Sequence, residues 1–148
     1  MRRAYFISYV AITLGSLMGN AWAIDYRSVT TPSILYDGPS AQSPKLFIIA
    51  PMTPLEVVVT TEKWIKVRDA AGTLAWIEPQ ALSSKHTVIV TAPSTSLKAQ
   101  PQDNAQTLLT AGRDSVFELV SSTPNNGWVN VRSKNTTGYV RINDIWGL

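Results

Sequence analysis

The alternation of apolar and polar residues predicts β-strands over most of the chain after residue 24. In one short run, two apolar residues, Ile65 and Val67, alternate with three polar or aromatic ones, Trp64, Lys66 and Arg68. A period of two is typical of a strand with one face against a core. Similar runs, separated by Gly, Pro and Asn, fill the rest, and no run of convincing length has the period of an amphipathic helix. The pattern therefore predicts an all-β protein.

The strand before this run alternates as well. Its apolar residues Leu55, Val57 and Val59 are predicted to point inward, and Glu56 outward. A three-residue loop over 61–63 keeps the faces of the two strands consistent. We therefore expect Glu56 to lie opposite Arg68 across a hairpin.

The same order of residues occurs twice. Segments 35–39, 55–58, 64–68 and 75–77 align with segments 97–101, 117–120, 128–132 and 138–140, at offsets of 62, 62, 64 and 63. Two units of about 60 residues are each large enough for a small core, although such units are marginal alone. Each is predicted to form a strongly bent β-barrel of about five strands, with short helical turns near 79–82 and 143–145.

The step in offset from 62 to 64 indicates a longer hairpin loop in the second unit. A five-residue loop over 123–127 would set Glu118 opposite Arg132. The change is even, so each side chain keeps its face, whereas an odd change would turn one strand inside out.

Residues 1–23 have the pattern of a secretory signal peptide. Arg2 and Arg3 precede an uncharged apolar run over 4–18, and Ala21 and Ala23 are the small residues that a signal peptidase reads. The run is short for a membrane span, and no positive cluster follows it. We expect cleavage after Ala23 and a periplasmic or secreted protein of 125 residues without a stable membrane anchor. The expected divisions are a first barrel over 24–82, a linker over 83–86 and a second barrel over 87–148.

Composition excludes several classes of protein. The full chain has 13 basic and 10 acidic residues, and removal of Arg2 and Arg3 leaves 11 against 10, a net charge near +1. We therefore do not expect a nucleic-acid partner. With no cysteine and one histidine, His86, the chain has no thiol nucleophile or multi-histidine metal site. No catalytic motif is present, so we expect no enzyme, no cofactor and no metal, and His86 is interpreted as a surface residue.

The motifs of the first unit resemble those of a bacterial SH3-like domain. They are Leu-Tyr-x-Gly-Pro-Ser from residue 35, then Leu-Glu-Val, then Trp-x-Lys-Val-Arg-Asp-x-x-Gly-x-x-x-Trp-Ile from residue 64. The second unit is similar but more divergent, and the whole resembles an exported protein with two such domains in tandem. Ala75 stands where these repeats usually have Gly before the aromatic residue, and the second unit lacks the Gly-Pro-Ser turn. The resemblance implies a small β-barrel binding module of the cell envelope.

Five aromatic residues are the candidate binding residues. On the strands they share faces with charged residues rather than with the apolar ones, or they lie beside the turn at 37–40; they are Tyr36, Trp64, Trp76, Trp128 and Tyr139. Aromatic side chains on a polar face are typical of a ligand-stacking surface. The alternative is that loops, or the other unit, cover them.

Two functions follow from this pattern. The first is an exported, non-enzymatic module that binds peptidoglycan or short peptides through aromatic grooves. The second is an adaptor that docks onto an envelope protein and binds no glycan. The nearly neutral charge favours the adaptor, because an anionic wall rewards a basic surface. We expect a monomer, and the second unit, at +2 against −1 for the first, is the one expected to meet a polyanion.

Overall fold

The computed structural model describes residues 23–148, and these form two antiparallel β-sheets of seven strands each. No α-helix occurs in this part of the chain, which confirms the all-β prediction. The predicted signal peptide lies outside the described residues except for Ala23. Among residues 23–148, no helix has the length and apolar character needed to cross a membrane.

The first sheet contains seven strands in the order β3-β2-β6-β5-β4-β1-β7. Their bounds are Tyr26–Val29 (β1), Ser33–Tyr36 (β2), Lys45–Ile49 (β3), Pro54–Thr60 (β4), Ile65–Arg68 (β5), Leu74–Ile77 (β6) and Leu82–Ser83 (β7). One turn of 3₁₀-helix, Pro79–Ala81, precedes β7 and lies where a helical turn was predicted. Each unit was expected to have about five strands, but this sheet has seven. The additional strands are the first and the last, β1 and β7, which pair with each other.

The second sheet repeats this topology in the order β10-β9-β13-β12-β11-β8-β14. Its strands are Thr87–Val90 (β8), Ser94–Lys98 (β9), Thr107–Gly112 (β10), Val116–Asn125 (β11), Trp128–Ser133 (β12), Thr136–Arg141 (β13) and Ile145–Trp146 (β14). A 3₁₀ turn, Ile142–Asp144, precedes β14. Each strand has the same neighbours as its counterpart seven strands earlier, so the sequence repeat is also a structural repeat.

Each sheet curves around its own apolar core. The first core consists of Val29, Leu35, Ile49, Leu55, Ile65, Val67, Ala75 and Ile77. The second consists of Val88, Val90, Leu97, Phe117, Val129, Val131, Val140 and Ile145. Leu55, Ile65 and Val67 were predicted to point inward, and all three lie in the first core.

The predicted charge pairs are confirmed by the strand register. Glu56 lies opposite Arg68 and Glu118 opposite Arg132. The Arg68 Nη1 donates to both carboxylate oxygens of Glu56, at 3.2 and 3.0 Å. The Arg132 guanidinium donates to Glu118 at 2.8 Å.

The inward prediction for Val59 is wrong. The pairing of β4 with β5 shifts between Val57 and Val59, which marks a β-bulge at Val58. The extra residue reverses the alternation, so Val59 is 44% exposed although Leu55 is buried. A shift also occurs at Val120 in the second unit, so the bulge is part of the repeat.

The five-residue loop predicted over 123–127 is also different. Strand β11 continues to Asn125, which pairs with Trp128. Only Asn126 and Gly127 lie between them, with φ of 49° and 83°. Two central residues with positive φ form a type I′ hairpin turn, for which Asn-Gly is the preferred sequence.

The two units contact each other beside their connection. The Thr87 hydroxyl of β8 donates to the backbone carbonyl of Met52 at 2.7 Å. The Tyr26 ring of β1 lies 5.2 Å from the Trp146 ring of β14, edge to face, and 5.8 Å from the His86 imidazole. The contact of Tyr26 with Trp146 joins the first and last strands of the described chain.

Candidate functional site

Three of the five predicted aromatic residues gather on the outside of the first barrel. Tyr36 ends β2 and pairs in register with Trp76 of β6. The Tyr36 ring lies 5.2 Å from the Trp64 ring, edge to face. All three side chains are half-buried, so each keeps part of its surface in contact with solvent. We call Tyr36, Trp64 and Trp76 the aromatic surface.

A tight turn fixes Trp64 in place. The Thr61 hydroxyl accepts the backbone N–H of Trp64 at 3.1 Å and donates to its carbonyl at 2.7 Å. The backbone N–H of Thr61 also donates to that carbonyl, at 2.9 Å. Strand β5 starts at the next residue, so the indole is held beside a rigid strand. Such preorganisation lowers the entropy lost when a ligand binds.

A lysine adds positive charge to the aromatic surface. Lys66 pairs across strands with Trp76, and its Nζ lies 5.8 Å from the centre of the indole ring. This distance is within the range of a cation–π contact. The surface therefore combines apolar ring faces with a hydrogen-bond donor that carries a charge.

Tyr36 also borders an open cleft of about 310 Å³. The lining combines β2, the segment before it, and the end of β6 with the following 3₁₀ turn; the residues are Thr31, Pro32, Ser33, Ile34, Tyr36, Ile77, Glu78, Gln80 and Ala81. The Gln80 amide donates to the Glu78 carboxylate at 2.8 Å. Tyr36 is thus common to the aromatic surface and to a cleft of the size that a small ligand or a few residues of peptide would occupy.

The second unit places its candidate residues differently. Trp128 is only 6% exposed, and the Arg141 guanidinium lies over its ring, 4.9 Å from the ring centre. Tyr139 is half-buried and pairs in register with Lys98. Lys98 stands where the first unit has Tyr36, so the aromatic cluster of the first unit is not repeated here.

A separate polar cavity of about 280 Å³ lies beside Trp128. Strand β9, the loop after it, the start of β12, the end of β13 and the 3₁₀ turn contribute the lining, which consists of Ser94, Thr95, Ser96, Lys98, Asp103, Trp128, Arg141 and Asp144. We call this the Trp128 cavity. Sequence reasoning included Trp128 but missed the charged residues around it. The sequence repeat could have pointed to Arg141. It aligns with Glu78 at the offset that also aligns Tyr139 with Trp76, so the charge beside the aromatic position is reversed.

His86 lies between the two units and is not a simple surface residue. It is half-buried, stacks on Tyr26, and its Nε2 is 2.6 Å from the carbonyl oxygen of Gly147. A carbonyl only accepts, so Nε2 carries the proton and donates. The interpretation of His86 as a surface histidine is therefore corrected: it helps to join the chain end to the first unit.

Glu118 is held by two cations. Arg132 donates to it at 2.8 Å and the Lys85 Nζ lies 3.5 Å away. The hydrogen bond from Arg132, and then the two positive charges, keep the pKa of Glu118 below its usual value. This carboxylate is therefore ionised and already partnered.

Tyr26 ionises less readily than a free tyrosine. Burial, and then the negative charge of Glu56, raise its pKa above the usual 10.0. The folded protein thus holds this proton more tightly than the unfolded chain, and stability is lost as the pH rises above about 10. We expect Tyr26→Phe to reduce the loss of stability between about pH 8 and pH 11, measured by urea unfolding.

The control for this pH effect is Tyr139→Phe, which leaves the contacts of Tyr26 intact. This variant should lose as much stability at alkaline pH as the parent protein does. If both variants followed the parent curve, the titration of Tyr26 would not contribute to stability in this range.

The family comparison identifies the first unit. The model of the bacterial SH3 domain matches residues 30–84, which span β2 to β7. This part of the chain therefore matches the bacterial SH3 domain, as the sequence resemblance predicted. The second sheet has the same strand order, so the predicted fold class of two SH3-like barrels is confirmed for the described residues. In residues 23–148, no three His, Cys, Asp or Glu side chains are grouped so that they could hold a metal ion.

Two solved structures are similar to this chain. NlpC2 from Trichomonas vaginalis has 11% identity and a TM-score of 0.37, over 84% of this chain and 48% of that one. NlpC1 from Trichomonas vaginalis has 12% identity and a TM-score of 0.36, over 93% of this chain and 50% of that one. The chain spans about half the length of these two proteins. A comparison with curated sequences finds no match.

Proposed function

We propose that this protein is an exported, non-enzymatic module of the cell envelope that binds peptidoglycan or short peptides through the aromatic surface of its first barrel. The observation that carries the proposal is the grouping of Tyr36, Trp64 and Trp76 with the ammonium group of Lys66 beside them. Trp128 and Tyr139 occupy the corresponding positions of the second barrel, where Trp128 is buried under the Arg141 guanidinium. The protein acts in the periplasm or outside the cell, after removal of residues 1–23.

The chemistry of the aromatic surface suits such ligands. Aromatic rings offer large apolar faces and lose few rotamers on binding, so they stack on sugar rings or on extended peptides at low entropic cost. The half-buried state of the rings is also suitable: part of each ring packs against the barrel, while the rest is available. Lys66 can then pair with a carboxylate of the ligand.

The alternative function, an adaptor that docks onto an envelope protein, has its own support. Strand β3 is an edge of the first sheet, and its residues Leu46, Phe47 and Ile48 are 40%, 41% and 71% exposed. An exposed apolar edge strand can pair with a strand of another protein. The equivalent strand β10 has only one large apolar residue of this exposure, Leu108.

Co-sedimentation with purified peptidoglycan sacculi tests the proposal. The protein without residues 1–23 is compared with two variants, Trp64→Ala on the aromatic surface and Ile48→Lys on β3. Both residues are at least partly exposed, so both variants should stay folded, which circular dichroism checks. We expect saturable binding that survives physiological salt, is reduced at least tenfold by Trp64→Ala and is unchanged by Ile48→Lys.

The opposite result supports the adaptor. If sacculi do not bind, or if salt removes the binding equally from all three proteins, the peptidoglycan proposal is wrong. Crosslinking in intact cells that is lost in Ile48→Lys and kept in Trp64→Ala would then place the contact on β3.

A further inference from the structure

The Trp128 cavity of the second barrel contains an arginine whose position is fixed by its neighbours. Arg141 lies opposite Trp128 in the pairing of β12 with β13. Its guanidinium group is stacked over the indole, 4.9 Å from the ring centre. A stacked guanidinium keeps its N–H groups free at the edge, where they can bind a carboxylate in its plane.

A carboxylate of the chain already occupies this arginine. Asp103, in the loop between β9 and β10, accepts a hydrogen bond from Arg141 Nη2. The Asp103 side chain is 73% exposed and the Arg141 side chain 48%. Exposed ion pairs of this kind are weak, so another carboxylate could replace Asp103 at little cost.

The other charged groups of the cavity are bound more completely. The Lys98 Nζ donates to the Ala105 carbonyl at 3.2 Å and to the Thr107 hydroxyl at 2.9 Å. Asp144 accepts the Thr95 hydroxyl at 2.7 Å. Arg141 is therefore the group whose partner is most easily exchanged, and the fixed Asp144 disfavours ligands with more than one negative charge.

The first barrel has the opposite charge at the equivalent place. Glu78 and Arg141 both precede the 3₁₀ turn of their unit, with the same extended backbone, φ −71° and ψ 138° against φ −70° and ψ 135°. A carboxylate ligand would be repelled by Glu78 and attracted by Arg141. The two barrels therefore differ in ligand preference, although their topology is the same.

We propose that the Trp128 cavity binds the single carboxylate of a short peptide on Arg141, and that Asp103 occupies the site until the ligand displaces it. The hydroxyls of Ser94 and Ser96 line the same cavity and are available to the peptide groups of such a ligand. This inference names the ligand chemistry of the second barrel and rests on the proposed function of peptide binding.

The test uses N-acetyl-alanyl-alanine as the probe and its C-terminal amide as the matched control. Binding to the protein without residues 1–23 is followed by NMR, through the indole N–H signal of Trp128. We expect the acid, and not the amide, to shift this signal. Asp103→Asn should bind the acid about fivefold more tightly, because the competing carboxylate is removed. Arg141→Gln should abolish the shift, and Arg141→Lys, which keeps the charge, should weaken binding.

Two control variants make the outcome specific. Arg132→Gln removes an arginine outside the cavity and should bind the acid like the parent. Val120→Ala changes an exposed residue of β11 outside the cavity and should also bind it normally. Equal shifts for acid and amide, a shift that survives in Arg141→Gln, or unchanged affinity in Asp103→Asn would overturn the inference. Binding of the acid without binding to sacculi would overturn the peptidoglycan proposal alone.

Discussion

Phe117→Ala is expected to destabilise the second barrel by about 3–5 kcal/mol, the largest effect of any single substitution considered for this protein. Phe117 is 2% exposed and is the largest of the fully buried side chains. It lies on β11, opposite Val88 of β8, in a core that has only eight buried members. A unit of about 60 residues has a small free energy of unfolding, so the cavity left by the Phe117 ring removes most of it.

Urea unfolding followed by tryptophan fluorescence measures this effect. Trp64 and Trp76 report on the first barrel, and Trp128 and Trp146 on the second. Leu55→Ala, at the equivalent position of the first core, should cost about 2–5 kcal/mol. Val120→Ala on the same strand as Phe117 is the surface control, since Val120 is 50% exposed, and should change stability by less than about 0.5 kcal/mol. A loss below about 1 kcal/mol for Phe117→Ala would show that the second core does not depend on this ring.

The alternation of residues was sufficient to predict the all-β fold and two cross-strand pairs, but not the register nearer the turns. Glu56 faces Arg68, and Glu118 faces Arg132, as predicted from an even change in loop length, which keeps the apolar residues of both strands inward. The local sequence was therefore enough to predict which strand faces are buried at the ends of the hairpins away from their turns. It also predicted the two 3₁₀ turns, which contain Pro79 in the first unit and Asn143-Asp144 in the second.

The bulges could not be predicted in the same way. Val58 lies between two valines and Val120 follows Leu119, so the pattern gives no sign that one residue leaves the ladder. The bulge arises from hydrogen bonding between strands, which a single-strand pattern does not contain. The hairpin turn is a different case: Asn126-Gly127 was a local signal for a two-residue turn, but the loop length was inferred from parity alone.

The candidate site was likewise only partly predictable from the sequence. Aromatic residues on polar faces were visible in the sequence, and the first barrel groups three of them. The ion pair of Arg141 with Asp103 joins residues 38 positions apart, so only the fold brings them together. The sequence repeat nevertheless carried a signal of divergence, because Tyr36 aligns with Lys98 and Glu78 with Arg141. Both exchanges alter charge around an aromatic residue while leaving the core positions apolar.

Gly138→Ala is expected to destabilise the second barrel by about 1–3 kcal/mol, whereas the first barrel has alanine at the same position. A Cβ atom on Gly138 would lie 2.6 Å from the backbone oxygen of Lys98 and 2.9 Å from Cγ of Leu97. The backbone of Lys98 cannot move away easily, because β9 and β13 pair through Lys98 and Tyr139. Ala75, the equivalent residue, is 1% exposed and packs in the first core.

A second glycine of the same barrel provides the control for this prediction. Gly112 lies at the end of β10, and a Cβ there would meet only the Pro93 oxygen, at 3.9 Å. Gly112→Ala should therefore be neutral or stabilising by up to about 1 kcal/mol, since alanine restricts the unfolded chain. Urea midpoints of the two variants should thus move apart, and equal midpoints would contradict the close approach of β9 to Gly138. Because Lys98 also lines the Trp128 cavity, Gly138→Ala should in addition weaken binding of the carboxylate probe, whereas Gly112→Ala should leave it unchanged.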